Sequence, residues 1–241
     1  GMRAVLGITV LESPCAYATD AEDDLNKGLA VRDACQDEPL LSFALAPHAP
    51  YTVADRTFER VATLSAQLDL PAHIHLHETR TEVEESLRQH GERPLERLRR
   101  LGLLGPNLIA VHGVHLDSAE IRHLAESGAT LAHCPTSNLK LASGIAPVAE
   151  ALTAGLRIGL GTDGAASNNR LDILQEMRLA ALLAKAAGGG AATMAAHEAL
   201  RAATLDAATA LGLADDIGSL LPGKAADLCA IRLNDWTTQP C

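Results

Sequence analysis

The sequence predicts an α/β fold in which βα units lie side by side in a parallel sheet, and three observations predict it. Apolar, β-branched runs of strand length alternate six times with helix-period segments, at spacings of roughly 22–38 residues. His48, His75, Glu78, His112, His133 and Asp163 all fall at or just beyond the C-terminal end of a strand run, the edge at which a (β/α)8 barrel carries its active site. No G-x-G-x-x-G follows a strand, so a dinucleotide site is not expected. A doubly wound sheet also collects ligands at strand C-termini, and the barrel needs eight strands where six are counted. Both architectures stay open at this level.

Residues 3–11 form a short apolar, β-branched run, the pattern of a buried strand. Thr19 and Asp20 can cap a helix reaching about Ala34, with acidic residues in its first turn. Residues 40–46 are the next strand run and lead into Pro47-His48-Ala49-Pro50-Tyr51. Thr52-x-x-Asp55 resembles a capping box and opens a helix to about Leu68. Residues 72–76 are a strand, Thr81-x-x-Glu84 is a capping box for a helix that Gly91 can end, and Pro94 suits the first turn of another. A strand at 108–111 runs into His112 and His115, and a helix at 118–127 stops at Gly128. A strand at 130–132 runs into His133-Cys134-Pro135. A helix near 147–154 precedes the strand 157–160, which ends in Gly161-Thr162-Asp163-Gly164. Helices fill most of 171–187 and 195–211. Beyond Leu213 turn residues take over, and 227–233 reads as a short strand. The expected division is a barrel part, 1–214, followed by the start of a small β element, 215–241.

Bulk properties exclude more than they assign. Of 241 residues, 47% are hydrophobic, enough for a full core, while aromatics at 2% leave that core to Ala and Leu. A net charge of −10, without basic runs, argues against nucleic-acid and anionic-membrane partners. Five cysteines are scattered, with no C-x-x-C pair; this suggests a reducing compartment and no cysteine-based zinc site. No signal peptide is apparent, and no apolar run approaches 18 residues: the apolar stretch 179–187 is short and carries Lys185. A soluble cytoplasmic protein is expected.

The stretch His73-Ile74-His75-Leu76-His77-Glu78 alternates histidine with apolar residues, the period-2 pattern of a strand with two faces. Imidazoles aligned on a buried face are costly unless satisfied. Hydrogen bonds to backbone or to one another would satisfy them, but followed by Glu78 the cluster favours a metal. His75 and Asp163 can supply ligands from two strands, and a bound ion lowers the pKa of its water towards about 7.

The segments 46–52, 75–79, 110–112, 133–144 and 161–169 resemble the motifs of the amidohydrolase superfamily. Within it they are most similar to the methylthioadenosine/S-adenosylhomocysteine deaminases, which border on the triazine hydrolases. The resemblance implies a TIM-type barrel of the metal-dependent hydrolase kind that lacks its first two strands, with a remnant of a small β-sandwich at the C-terminus. It implies one divalent ion, zinc before iron, with His75 and Asp163 as ligands. His73 and His77 then become structural. Glu78 is implied to carry a proton to the purine ring. Asp163 would take one from the attacking water, and His112 would orient that water. His48 would contact the substrate, and His133 and Asn138 would line the pocket or stabilise its loops. The implied reaction is hydrolytic deamination of a small nucleoside: S-adenosylhomocysteine, methylthioadenosine or adenosine. A homo-oligomer is left open.

Family members carry a His-x-His pair on their first barrel strand, and no histidine precedes His48 here. The chain is therefore expected to be an internal fragment of a longer enzyme. Two other readings stand beside the deaminase. One is a different amidohydrolase, such as a guanine deaminase or triazine chlorohydrolase. The other is an inactive truncated chain.

Overall fold

The computed structural model describes residues 2–232 and 234. Six strands, β1 (Ala4–Val10), β2 (Leu41–Pro47), β3 (Ala72–Leu76), β4 (Leu108–His112), β5 (Thr130–His133) and β6 (Arg157–Leu160), form one sheet in the order of the chain. Every neighbouring pair is parallel. Chain order without reversal has no switch point, which sets the doubly wound alternative aside; it is the singly wound order of a (β/α)8 barrel. The link between β2 and β3 is the thinnest, with Leu45 paired to Ala72. His75 N donates to His48 O at 3.1 Å just beyond it and ties the two site-bearing strand ends together.

Helices α1 (Ala21–Ala34), α2 (Asp55–Leu68), α3 (Arg80–His90), α4 (Pro94–Arg100), α5 (Ser118–Ser127), α6 (Pro135–Lys140), α7 (Val148–Thr153), α8 (Ala165–Asn168), α9 (Ile173–Ala184), α10 (Ala196–Ala202) and α11 (Leu205–Ala210) fill the connections. The core between sheet and helices is aliphatic apart from Phe43 and Phe58, with Leu45, Ile74, Leu108 and Leu131 at its centre. Gly28 lets α1 sit directly on β1, because a Cβ there would come within 2.2 Å of Ile8 Cγ2. Among the described residues no helix is long and apolar enough to cross a membrane.

Three local expectations are corrected. Thr52 does not cap α2. Its hydroxyl is taken by the loop after β2, the N-cap is Ala54 without a side-chain cap, and Glu12 anchors the helix start from a distance, accepting from Ala54 N at 3.0 Å and Thr57 Oγ1 at 2.6 Å. The N-cap of α3 is Thr79, not Thr81: Thr79 Oγ1 accepts from Glu82 N at 3.2 Å. The strand expected at 227–233 is not formed over 227–232, and Leu233 lies outside the described residues. Asp227 instead pairs with Arg3 at the foot of β1, Nε to Oδ2 2.9 Å.

Candidate active site

β3 places Ile74 and Leu76 in the core and turns His73 and His75 to the opposite, open face, so His75 is half-buried and His73 exposed. His77 does not share that face. The strand ends at Leu76, and a positive φ of 53° swings His77 back into the fold, where it is fully buried and its Nε2 accepts from Leu95 N at 3.2 Å. His77 is thereby structural. The next residue, Glu78, returns to the site side. Its backbone N–H and that of His77 are held by the Glu82 carboxylate, each at 2.8 Å.

At the end of β4 the chain kinks sharply. His112 has φ 73° and Gly113 φ 57°. A Cβ on Gly113 would lie 2.5 Å from Leu131 Cδ1, so only glycine fits both the conformation and the space. The kink throws the buried His112 ring against His75, centroids 5.3 Å apart and nearly stacked. On its other side His75 meets the His48 ring edge-on at 5.0 Å. His48 Nδ1 lies 3.0 Å from the Thr52 hydroxyl, which itself donates to Ala49 O at 3.1 Å. The hydroxyl can then only accept from His48 Nδ1–H. Tyr51 packs edge-on against His48 at 6.1 Å and stays exposed. Three imidazoles from β2, β3 and β4 thus line one stretch of the sheet's C-terminal rim. His112 Nε2 lies 3.7 Å from Glu78 Oε2.

Asp163 follows β6 with φ 60°. A non-glycine residue in this left-handed region is uncommon and costs about 1 kcal/mol or more, the kind of strain that accumulates at functional sites. Ser137 Oγ and Ser167 Oγ donate to Asp163 Oδ2 at 2.6 and 2.7 Å, and Gly164 N donates to Oδ1 at 2.7 Å. Burial works to raise the carboxyl, but these hydrogen bonds outweigh it and hold the group below the usual carboxylate range. Burial, and then the neighbouring His112 and His48, lower the pKa of His75, so at neutral pH it is an unprotonated imidazole. A neutral imidazole and an ionised carboxylate are donors that a divalent ion of the zinc type accepts, so these two residues fit the ion the sequence leads one to expect.

His133, at the end of β5, is 1% exposed, and neither ring nitrogen has a hydrogen-bond partner among the described residues. Burial pulls its pKa down to about 4. Asn138 is equally buried, and its Oδ1 lies 2.8 Å from His112 Nδ1. Sequence reasoning missed Ser137, Ser143 and Ser167, the hydroxyls that hold the carboxylates; Ser143 Oγ donates to Glu78 Oε1 at 3.4 Å. Glu176, fully buried on α9, was missed as well. It accepts from Thr136 N at 3.0 Å and from Asn168 Nδ2 at 2.9 Å, and so fastens the loops after β5 and β6 to each other. The unbroken Ser and Asn run of 137–138 and 167–169 was the available signal.

Parallel βα units in chain order, with histidines and a strained aspartate along their C-terminal rim, define the class of metal-dependent hydrolase barrels. The chain belongs to the amidohydrolase family, whose model matches residues 1–240. It is 47% identical over 240 residues to the 5-methylthioadenosine/S-adenosylhomocysteine deaminase of Teredinibacter turnerae, covering 100% of this chain and 54% of that protein. It superposes on an adenosine deaminase from Xanthomonas campestris with bound zinc at a TM-score of 0.95, with 49% identity over 99% of this chain and 54% of that one. An atrazine chlorohydrolase from Arthrobacter aurescens complexed with zinc follows the same fold at a TM-score of 0.79, with 27% identity over 90% of this chain and 51% of that one. The chain spans about half the length of the curated relatives it matches.

Proposed function

We propose that this chain carries the greater part of the catalytic machinery of a metal-dependent adenosine-type deaminase acting on S-adenosylhomocysteine, methylthioadenosine or adenosine. The observation that carries the proposal is the convergence of His48, His75 and His112 with Glu78 on one rim, Glu78 and His112 facing each other at 3.7 Å. The deaminase names of the relatives at 47% and 42% identity support the substrate class. His75 and Asp163 would hold the ion, zinc before iron. When bound, it would supply Lewis acidity and lower the pKa of its water towards about 7.

The chain's own groups handle the protons. The water oxygen bonds to the amino-bearing ring carbon while His112 orients it. One water proton ends on the adjacent ring nitrogen, delivered by Glu78. The other passes through Asp163 to the departing amine, whose C–N bond breaks to release ammonia. His48, exposed just beyond β2, contacts the ribose side of the nucleoside. His133 and Asn138 close the floor of the pocket. Two ligands are one short of the three that catalytic zinc usually has, which supports a second reading for these 241 residues by themselves: a weakly metallated chain with little turnover.

Ammonia release from S-adenosylhomocysteine, methylthioadenosine, adenosine, guanine and a chlorotriazine, assayed side by side after zinc loading, tests the proposal. Faster release from the adenosine-type substrates is expected. Release from guanine alone would move the protein to a neighbouring branch, and metal content near zero with no release would support the second reading.

A further inference from the structure

One short segment reaches all three groups assigned to proton handling. Ser137 Oγ donates to Asp163 at 2.6 Å, Asn138 Oδ1 meets His112 Nδ1 at 2.8 Å, and Ser143 Oγ donates to Glu78 at 3.4 Å. The segment is held by its own backbone and by α9. Asn138 N donates to Cys134 O at 3.0 Å, Asn138 O accepts from Ser143 N at 2.8 Å, and Thr136 N is fastened to the buried Glu176. Within it, the contact to His112 is the one that carries chemical information. Both partners are about 1% exposed, so water does not compete for the bond.

We propose that Asn138 is the positioning residue of His112: its side-chain oxygen fixes the imidazole in the Nδ1–H tautomer and leaves Nε2 bare, facing Glu78. A side-chain amide oxygen only accepts, so the shared proton must sit on the histidine nitrogen. A neutral imidazole carries one proton, and with Nδ1 protonated Nε2 is an acceptor. Two acceptors, His112 Nε2 and the Glu78 carboxylate, then face each other at 3.7 Å, beyond direct hydrogen-bonding distance. Ser143 Oγ already serves Glu78 Oε1, so the acceptor left to be served is Nε2, and a donor between the two would bridge it to Glu78 Oε2. A water, or an N–H of the substrate, is such a donor, and a bare Nε2 selects for it. The other tautomer would present a second donor to the water and turn its lone pair rather than its proton towards His112. The consequence for catalysis rests on the deaminase reading; the tautomer itself does not.

The test is long-range ¹H–¹⁵N correlation of the imidazole rings in histidine-labelled, metal-free protein at pH 8, with the His112 signals assigned by their loss in His112→Gln. The expected result is a protonated Nδ1 and a bare Nε2 in wild type. A protonated Nε2 in wild type would overturn the proposal without recourse to any variant. Asn138→Leu removes the acceptor, and the ring should shift towards the Nε2–H form that free histidine prefers. Asn138→Asp keeps an acceptor at the same place and should retain Nδ1–H. An unchanged tautomer in a folded Asn138→Leu would also overturn the proposal. In the metal-loaded enzyme, Asn138→Leu should lower kcat roughly 10–100-fold with KM within about threefold, and Asn138→Asp should recover most of the loss. The expected tautomer in a protein that deaminates no nucleoside would sink the functional reading and leave Asn138 in its role.

Discussion

Neither ring nitrogen of the buried His133 is paired among the described residues, and burial pulls its pKa down to about 4. The sign of the consequence follows from which state takes the proton. Above about pH 6.5, the unfolded value, both states are neutral and His133 has no effect. Between about 6.5 and 4 only the unfolded chain binds a proton, so stability falls as pH drops, by about 3 kcal/mol in full. His133→Leu, close in volume and unable to titrate, should flatten the loss of Tm between pH 7.5 and pH 5. A residual slope from His75 and His115, both also lowered by burial, remains. Parallel Tm curves for the two proteins would refute this. Glu78, by contrast, is placed to act rather than to stabilise: Glu78→Gln should lower kcat by roughly 10²-fold or more while changing Tm little. At this scale the sequence exposed the residues with chemistry of their own, since His48, His75, Glu78, His112 and Asp163 are legible as motifs. It concealed the hydroxyls that orient them. A serine has no spacing signature, and only the fold brings Ser137 to Asp163 across 26 positions.

Among the elements, existence was easier to read than edges. The α5 helix was expected at 118–127 and occurs as Ser118–Ser127, because an acidic cap, a capping-box Glu120 and a terminal Gly128 agree. Near α3 the signals compete: Thr79-x-x-Glu82 and Thr81-x-x-Glu84 overlap by two residues, and spacing alone cannot rank them. Tertiary structure decides, since Glu82 is needed beneath the backbone of His77 and Glu78 and must lie in the first turn. Thr79→Ala should therefore cost about 1 kcal/mol. Thr81→Ala, on an exposed position, should stay within about 0.5 kcal/mol. Urea melts of the two variants compare them directly, and equal losses would show that the cap is misassigned. The six-residue α6 was illegible for a different reason, as fewer than two turns give no helical period to read. The helical stretch expected over 195–211 is divided into α10 and α11, because Thr204, at φ −128° and ψ −89°, leaves the helical region between them.

The described sheet runs from β1 at one end to β6 at the other. Among the described residues β1 pairs only with β2 and β6 only with β5, so each presents an outer row of N–H and C=O groups. Such edges are templates for further strand pairing, and β1 adds exposed Leu6 beside them. The 241-residue chain should accordingly self-associate in a concentration-dependent way unless a complementing segment covers β1 and β6; light scattering across a dilution series would measure it, and a monodisperse monomer at every concentration would contradict the edge argument. The proposed metal site would have the same distributed character. His75 rides on β3 and Asp163 on the turn after β6, three strands apart in the sheet order, so the two proposed ligands would come from well-separated parts of the sheet. Each proposed ligand contributes to a chelate that the fold pre-positions, and removing either leaves the other as a lone surface donor with little affinity. Bound zinc per chain, measured by mass spectrometry after dialysis, should therefore fall sharply in both His75→Ala and Asp163→Ala. It should be unchanged in His73→Ala, whose exposed ring lies on the same face of the same strand. Equal zinc in wild type and both ligand variants would remove His75 and Asp163 from the site, and loss in His73→Ala alone would shift the ligand two residues along β3.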